Sequence, residues 1–225
     1  MHTVLITGAS RGIGLEFTRQ YLARGSRVIA CCRNTSSASA LQAMAGQALE
    51  VVGLDVSDSA AVAGLPAKLP GEHLDLFINN AGIYGDHQGL ADADWDEWLD
   101  VMSVNVIAPL MLTRVLLPLM AANGKLVYLS SKMGSIADNS GGGAYVYRSS
   151  KTALNQVVKS LSIDLASRGL SAAALHPGWV QTDMGGPNAL IDTATSVGGL
   201  MRVIDRLDAA SSGRFFNYDG QEIPW

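Results

Sequence analysis

Cysteine and histidine are scarce in this sequence. Only two cysteines occur among the 225 residues, and they are neighbours, Cys31 and Cys32. Neighbouring cysteines cannot join distant segments, and no Cys or His cluster with metal-ligand spacing accompanies them. The four histidines are dispersed, at positions 2, 73, 87 and 176. We therefore expect two reduced, buried thiols, histidines that pack in the interior or lie at the surface, and no bound metal.

Charge is also sparse. Charged residues make up only 16% of the chain, and its formal net charge is −4. Lys and Arg are scattered instead of forming a run, so no basic field attracts nucleic acid. No apolar stretch approaches the roughly 20 residues that span a bilayer, and the first residues lack the features of a secretory signal. The composition predicts a cytoplasmic protein with neither nucleic acid nor a membrane among its partners.

The chain has a regular alternation of two hydrophobic patterns. Short segments rich in Val, Ile and Leu predict strands at 3–7, 27–32, 49–54, 74–79, 125–130, 171–176 and near 214–217. Helical spacing covers 13–24, 38–44, 57–68, 95–119, 144–166 and 193–207. Such alternation requires crossover connections that cover both faces of a parallel sheet. Because no linker or repeat divides the chain, we predict one domain over residues 1–225, a doubly wound α/β Rossmann fold with a mostly parallel sheet of about seven strands.

An apolar stripe follows one face of the helix predicted over 95–119. Trp95, Trp98, Leu99 and Met102 lie at positions i, i+3, i+4 and i+7 of a helical repeat. We interpret this stripe as a surface that faces the sheet or a second subunit, in preference to a substrate-binding surface.

A glycine-rich turn follows the first predicted strand and leads directly into a helix. Gly8, Gly12 and Gly14 are spaced GxxxGxG, with Ser10, Arg11 and Ile13 between them. In this context Gly8 permits a tight turn, Gly12 lets the backbone approach a pyrophosphate, and Gly14 allows close packing of helix on strand. The N–H groups at the start of the helix bind the anion. The segment predicts a dinucleotide site.

The end of the second predicted strand indicates which dinucleotide is bound. NAD sites commonly place a carboxylate there to accept from the ribose 2′-hydroxyl, but this strand ends Ala30-Cys31-Cys32-Arg33. The guanidinium of Arg33 suits a 2′-phosphate, and Arg11 could add a second positive charge. We therefore favour NADP(H) over NAD, although both arginines could instead be solvated loop residues.

A Tyr-Lys pair provides candidate proton-transfer chemistry. Residues four apart share a helix face, so Lys151 lies beside Tyr147, whereas Tyr145 points elsewhere. A free phenol has a pKa of about 10. We expect a neighbouring ammonium to lower that pKa and so make Tyr147 a usable acid or base. The YxxxK spacing alone also occurs on ordinary amphipathic helices.

A serine precedes this helix at the end of a predicted strand. Strand C-termini in open α/β sheets face the ligand crevice, so the hydroxyl of Ser131 could hold a substrate oxygen. Ser130 is the rival, but successive strand residues face opposite ways and only one of the two should reach the crevice.

Taken together, these motifs resemble the short-chain dehydrogenase/reductase family over nearly the whole chain. The resemblance rests on residues 7–14, Asp55-Val56, Asn79-Asn80-Ala81-Gly82, Asn105, Ser131, Tyr147, Lys151 and Pro177-Gly178, in that order. Segments 145–151 and 213–225 are similar to the group that includes sniffer-type carbonyl reductases and the bacterial C-factor signalling protein. The spacing from Ser131 to Tyr147 is about three positions longer than the family's, and we assign the excess to a rim loop at 138–143.

The resemblance implies roles for several further residues. It implies that Asn105 holds a helix distortion and a water that relays protons to Lys151, and that Lys151 also bonds the nicotinamide ribose. Asp55 would meet the adenine and Asn80 the adjoining ribose region. The implied cofactor-binding set also includes Val56, Ala81, Gly82, Pro177, Gly178, Val180 and Thr182.

We therefore expect an NADP(H)-dependent oxidoreductase that reduces a small-molecule aldehyde, ketone or quinone, with Tyr147 as proton donor. The segment 185–192 is short for a substrate lid, which favours an open pocket with broad specificity. The alternative is a nucleotide-binding signalling or sensor protein of the C-factor type. The long helices at 95–119 and 144–166 often form symmetric interfaces in the family, so the resemblance implies a homodimer or homotetramer.

Overall fold

The seven strands in the described part of the chain join one parallel sheet. The structure is a computed structural model that describes residues 2–44, 46–69 and 71–225. The strands are β1 (Thr3–Thr7), β2 (Arg27–Cys32), β3 (Leu49–Gly53), β4 (Leu74–Asn79), β5 (Met120–Leu129), β6 (Ser171–His176) and β7 (Phe215–Asn217). Their order is β3-β2-β1-β4-β5-β6-β7, and each neighbouring pair is parallel. The predicted Rossmann-type fold class is confirmed.

The helices lie between the strands and cover both faces of the sheet. They are α1 (Gly12–Ala23), α2 (Ser39–Gln42), α3 (Ser59–Gly64), α4 (Trp95–Met102), α5 (Ala108–Leu116), α6 (Tyr145–Asp164) and α7 (Thr193–Arg206). Shorter 3-10 turns occupy Leu65–Lys68, Leu117–Leu119, Lys132–Gly134 and Ala166–Arg168, and a π-helical turn occupies Ser103–Ile107. The predicted helices 57–68 and 95–119 are therefore each composed of several helical segments.

The two hydrophobic cores follow the alternation of side chains along each strand. On β5, Leu126 and Tyr128 face α5 and α6, where they pack with Leu112 and Leu154. The intervening Val127 belongs to the other core, which α1 and α7 cover. Strands buried on both faces are apolar along nearly their whole length. Because the strands are parallel, their carboxyl ends lie along the same edge of the sheet.

The topological switch point lies between β1 and β4. The chain builds outward in one direction from β1 to β3 and in the other from β4 to β7. In open α/β sheets, ligands bind in the crevice outside the carboxyl ends of the strands at such a point. The glycine turn after β1 and residues 79–82 after β4 flank this crevice.

The apolar stripe on α4 does not face the sheet. Trp95 is 77% exposed and Leu99 is 56% exposed, whereas Val101, outside the stripe, is fully buried. Trp98 is turned toward α6, where its Nε1 donates to the Ser149 hydroxyl. The expectation that the stripe faces the sheet is therefore wrong for Trp95 and Leu99, and the second possibility, a surface for another subunit, stays a prediction.

The helical run Trp95–Leu119 is long and apolar enough, by length and composition alone, to cross a membrane. The expectation that no stretch meets that criterion is wrong by this measure, because four consecutive helical segments join without a break. Part of the run packs against the sheet: 44% of its apolar window is buried, including Leu112 and Leu116.

Candidate active site

A cleft of about 900 Å³ opens at the carboxyl ends of the strands. It gathers most of the residues that the sequence singled out, although they come from six separate parts of the chain. Its wall includes Gly8, Ser10, Arg11, Gly12, Ile13, Arg33, Asp55, Val56, Asn80, Ala81, Gly82, Tyr147, Lys151, Pro177 and Thr182.

Five of the predicted site residues lie behind or beside this wall. Gly14 packs beneath the glycine turn, and Asn105 is buried in the π-helical turn. Gly178, with φ +84°, lies against the ring of Tyr218, and Val180 is buried and bridges to Ile191. Ser131 is buried next to Tyr147. These residues adjoin the cleft, and Ser131 approaches it beside the Tyr147 phenol.

The glycine turn is held by hydrogen bonds from the segment after β4. The side-chain amide of Asn80 donates to the carbonyls of Thr7 (2.9 Å) and Gly8 (3.1 Å). The Thr7 hydroxyl accepts from the backbone N–H groups of Asn80 and Ala81, each at 3.1 Å. The amide of Asn80 thus fixes the shape of the turn, a role that was not predicted from the sequence.

The geometry of the turn explains two of its glycines. Gly8 has φ +65° and Gly12 has φ +53°, which are left-handed conformations that favour glycine. The α1 helix that follows has no side-chain cap and no acidic residue in its first turn. Its first N–H groups are therefore available for an anion at the cleft.

The two arginines predicted for the 2′-phosphate differ in their surroundings. Arg11 forms an ion pair with Asp183 at 2.8 Å, and both side chains are largely exposed. Arg33 lies on the cleft wall near Asp55. Hydrogen bonds from Ser57 lower the pKa of the Asp55 carboxyl, and the charge of Arg33 contributes to that lowering. Arg33 is the stronger candidate, because Arg11 forms a direct ion pair with Asp183, whereas the charge of Arg33 has only a minor effect on Asp55.

Tyr147 and Lys151 occupy adjacent turns at the start of α6, and both are buried. The Lys151 Nζ lies 5.6 Å from the centre of the Tyr147 ring and donates to the Leu129 carbonyl at 2.9 Å. The ring of Tyr84 packs against that of Tyr147, with 4.5 Å between the centroids. The phenol is thus held between a charged amine on its own helix and an aromatic ring from the loop after β4.

Burial, and not the neighbouring ammonium, dominates the acidity of Tyr147. Burial raises the pKa of the phenol to about 12, against the lowering effect of a hydrogen bond with Ser131. Burial also lowers the pKa of Lys151 to about 8. The expected lowering of the pKa of Tyr147 is therefore wrong for this structure. At neutral pH the phenol keeps its proton and the amine is mostly charged, which suits Tyr147 to donate a proton.

Asn105 links the π-helical turn to the loop after β4 and to α6. Its side chain accepts from the Ile83 N–H at 2.9 Å and donates to the Ile83 carbonyl at 2.8 Å. It also donates to the Ser150 hydroxyl at 3.0 Å. The helix is distorted at the position where the family resemblance implies a distortion. A Cβ on Gly82 would lie 3.2 Å from the Asn105 Oδ1 and 3.5 Å from the Lys151 Nζ. Glycine at this position therefore leaves the space between the Asn105 side chain and the Lys151 amine open.

The two candidate serines have different partners. Ser130 donates to the Asn155 side chain at 2.6 Å within the protein interior, although the residue forms part of the cleft wall. Ser131 caps the 3-10 turn that follows β5, accepting from the Met133 N–H at 3.2 Å. Its hydroxyl lies close enough to the Tyr147 phenol to favour a lower pKa of that phenol. The contact with the phenol favours Ser131 as the partner of a substrate oxygen.

The loop after β6 is closed by its own hydrogen bonds. The Trp179 indole N–H donates to the Gly185 carbonyl at 2.8 Å, and Gln181 bonds Ile191 through the backbone at 2.9 Å. Three large apolar side chains remain exposed on it: Trp179, Met184 and Leu190. Met184 lines the cleft. The residues 185–192 predicted as a short substrate loop belong to this segment, and their role in substrate binding stays a prediction.

Sequence reasoning missed residues that reach the site over long distances in the chain. Tyr84 and Gln88 contact Tyr147 from the loop after β4. Asp183 compensates Arg11, and Met184 lines the cleft. None belongs to a motif or a hydrophobic repeat, so no local signal distinguishes them from ordinary loop residues.

Comparison with known proteins agrees with this geometry. Residues 2–190 match the family model of the short chain dehydrogenases. The carbonyl reductase Sniffer of D. melanogaster superposes with a TM-score of 0.95 at 34% identity and 100% coverage of both chains. An NADPH-bound carbonyl reductase from chicken fatty liver has a TM-score of 0.92 at 36% identity, covering 100% of this chain and 99% of its own. C-signal of Myxococcus xanthus is 47% identical over 154 residues, which are 68% of this chain and 93% of that protein.

Proposed function

The chain belongs to the short-chain dehydrogenase/reductase family, and on that premise we propose that it reduces a carbonyl group to an alcohol with NADPH. The substrate would be an aldehyde, ketone or quinone. The observation that supports this most is the placement of the Tyr147 phenol, the Ser131 hydroxyl and the Lys151 amine together at a cleft that begins at the glycine turn. A site that only sensed a nucleotide would have no need of an acid at this end of the cleft.

The residues of the cleft fit an NADP(H) molecule. The uncapped start of α1 would bind the pyrophosphate, and a side chain at Gly12 would approach Thr182 within 3.2 Å and narrow the passage. Arg33 would bind the 2′-phosphate, with Asp55 and Val56 near the adenine. Lys151 would bond the nicotinamide ribose, beside Pro177 and Thr182. NADP(H) is also the cofactor named for the NADPH-bound structural relative.

The chain's own residues would then supply the proton and the orientation. When bound, NADPH supplies a hydride to the carbonyl carbon. The Ser131 hydroxyl donates a hydrogen bond to the substrate oxygen and holds it near the Tyr147 phenol. As negative charge develops on that oxygen, Tyr147 transfers its proton to it, and the Lys151 ammonium stabilises the phenolate that remains. An alkoxide is a stronger base than a phenolate, so the transfer is favourable even from a phenol with a pKa of about 12.

The preference for NADPH should depend on Arg33. Replacing Arg33 with Ala removes a charge-assisted hydrogen bond worth about 1.5–3 kcal/mol, so the Kd for NADPH should rise roughly tenfold to a hundredfold. Fluorescence titration of the unchanged protein and of Arg33→Ala should show little difference in the Kd for NADH. Arg11→Ala is the matched control and should have the smaller effect, because Arg11 is paired with Asp183. An equal loss for both cofactors would refute the assignment of Arg33.

The rate of reduction should depend on pH through Lys151. Its pKa of about 8 means that the ammonium predominates at neutral pH and is lost as the pH rises through that value. The single-turnover rate should therefore be level on the acid side and fall on the alkaline side of about 8. Rapid mixing of the enzyme–NADPH complex with substrate over a pH series measures this directly. A rate that stays level or rises across the transition would show that the charge of Lys151 is not required.

A nucleotide-binding signalling or sensor protein is the second candidate, because a protein named C-signal is 47% identical to this chain over 154 residues. The two functions differ in turnover. Purified protein would be incubated with NADPH and a panel of aldehydes, ketones and quinones while the absorbance of reduced cofactor is followed. The enzyme proposal expects substrate-dependent oxidation of NADPH by at least one class. Tight NADPH binding with no oxidation across the panel would favour the sensor.

We further propose that the protein acts in the cytoplasm as a homodimer or homotetramer. Three apolar side chains are exposed on the surface of α4 and the π-helical turn: Trp95, Leu99 and Ile107. Exposed apolar side chains of this kind support a contact with a second subunit at this surface.

A further inference from the structure

The helix that carries Tyr147 begins without a cap of its own. Ala144 precedes α6 in a left-handed conformation, with φ 46°, and offers no side-chain hydrogen bond. No acidic residue lies in the first turn. Three consecutive glycines, 141–143, come just before it, and a side chain at any of them would meet open space. By local sequence, this is a helix start that should fray.

Gln88, from the loop after β4, replaces the missing cap. Its backbone carbonyl accepts from the Tyr145 N–H at 3.0 Å, and its side-chain carbonyl accepts from the Tyr147 N–H at 2.9 Å. The first hydrogen bond within the helix runs from the Arg148 N–H to the Ala144 carbonyl. One residue, 59 positions away in the chain, thus satisfies two N–H groups of the first turn, including that of Tyr147 itself.

The same side chain also positions the ring that packs on Tyr147. The amide nitrogen of Gln88 donates to the Tyr84 carbonyl at 2.8 Å. The loop is fixed on its other side by Glu97, whose carboxylate accepts from the Asp86 N–H at 2.6 Å and the His87 N–H at 2.7 Å. Gln88 therefore connects this hydrogen-bonded loop to the first turn of α6, at the residue whose phenol has to meet the substrate.

We propose that Gln88 is a positioning residue for proton transfer, acting as an N-cap supplied from outside the helix. This inference rests on the proposed function for its effect on catalysis. A proton donor misplaced by about 1 Å can lower a rate roughly a hundredfold. A frayed first turn would displace the Tyr147 hydroxyl, whereas Lys151, one turn further along, is held by the Leu129 carbonyl.

Gln88→Met tests this inference, because Met keeps the length of the side chain and removes the acceptor. The variant should lower the turnover number about tenfold to a hundredfold while the Kd for NADPH stays near that of the unchanged protein. Gln88→Glu restores an acceptor that also suits the positive end of the helix dipole, although it loses the bond to the Tyr84 carbonyl, and should recover part of the rate. Gln156→Met is the matched control on the exposed face of α6, where its amide bonds only Ser160.

Hydrogen exchange at the backbone of 144–150 provides a second readout that needs no substrate. Exchange at the Tyr147 N–H should be faster in Gln88→Met than in the unchanged protein, and should return toward normal in Gln88→Glu. The Tyr145 N–H keeps its backbone acceptor at residue 88 in both variants and serves as the internal reference. Failure of the proposed function would appear as absence of turnover in the unchanged protein, with these exchange differences intact. The inference on Gln88 is overturned if exchange in the first turn is unaffected, or if Gln88→Glu is no more active than Gln88→Met.

Discussion

Tyr147→Phe is expected to lower the rate of carbonyl reduction by about a hundredfold to ten-thousandfold, the range that a positioned general acid contributes. The substitution removes one hydroxyl and keeps the ring, so packing against Tyr84 is preserved. Ser131 and Lys151 would still bind the substrate oxygen and the cofactor, but no group of suitable acidity would remain to protonate the developing alkoxide. Steady-state oxidation of NADPH with an active carbonyl substrate measures the loss.

Tyr145→Phe is the matched control for this prediction. Tyr145 lies on the same turn of α6 but is 42% exposed, and its backbone N–H, not its phenol, bonds the loop. The control should keep a near-normal rate. Both variants should bind NADPH with unchanged affinity, as measured by calorimetry. A Tyr147→Phe enzyme with a near-normal rate would remove the phenol from the mechanism, and a loss of NADPH affinity would indicate a structural effect instead.

Gly14→Ala is expected to destabilise the protein by about 1–3 kcal/mol, the usual cost of overpacking. A Cβ at this position would collide with the Gly8 carbonyl oxygen and lie 2.6 Å from the Asn80 amide nitrogen. Both neighbours are fixed, because Asn80 holds the turn through two hydrogen bonds. The start of α1 must therefore move away from the turn. The melting temperature should fall by roughly 2–4 °C for each kcal/mol, and NADPH affinity should fall with it.

Gly198→Ala separates this collision from the general effect of adding a methyl group to a helix. Gly198 lies within α7, and a Cβ there would meet only side-chain atoms at ordinary distances of 3.8 and 3.9 Å. Because alanine is the better helix former, this variant should gain about 0.5–1 kcal/mol. Thermal unfolding of both variants, with and without NADPH, measures the contrast. Equal melting temperatures for the two variants would contradict the close packing assigned to Gly14.

The elements that sequence predicted well are those with local signals. The alternation of buried strands and helices determined the parallel sheet, and the glycine spacing located the turn at the switch point. Tyr147 and Lys151 could be paired because helical spacing alone places them one turn apart. The boundaries were less accurate: β5 begins at Met120, five residues earlier than expected, because its pairing with β4 shifts register between Leu74 and Leu76.

The features that sequence could not predict depend on contacts between distant segments. The pairing of Arg11 with Asp183 joins residues 172 positions apart, and Gln88 reaches α6 from another loop. The acidity of Tyr147 was predicted in the wrong direction, because burial depends on how the loops pack around the phenol. The stripe on α4 has a helical repeat, but its spacing does not say whether the sheet or solvent lies opposite Trp95 and Leu99.

The transfer of a hydride to a substrate carbon is the step that tests the account most directly. The protein would be incubated with a carbonyl substrate and NADPH deuterated at both C4 positions of the nicotinamide, and the alcohol product analysed by mass spectrometry. We expect one deuterium on the carbon that bore the carbonyl group, formed at a rate that collapses in Tyr147→Phe. Two results would contradict a carbonyl reductase. One is oxidation of the labelled cofactor without formation of deuterated alcohol, and the other is no oxidation of the cofactor in the presence of the carbonyl substrate.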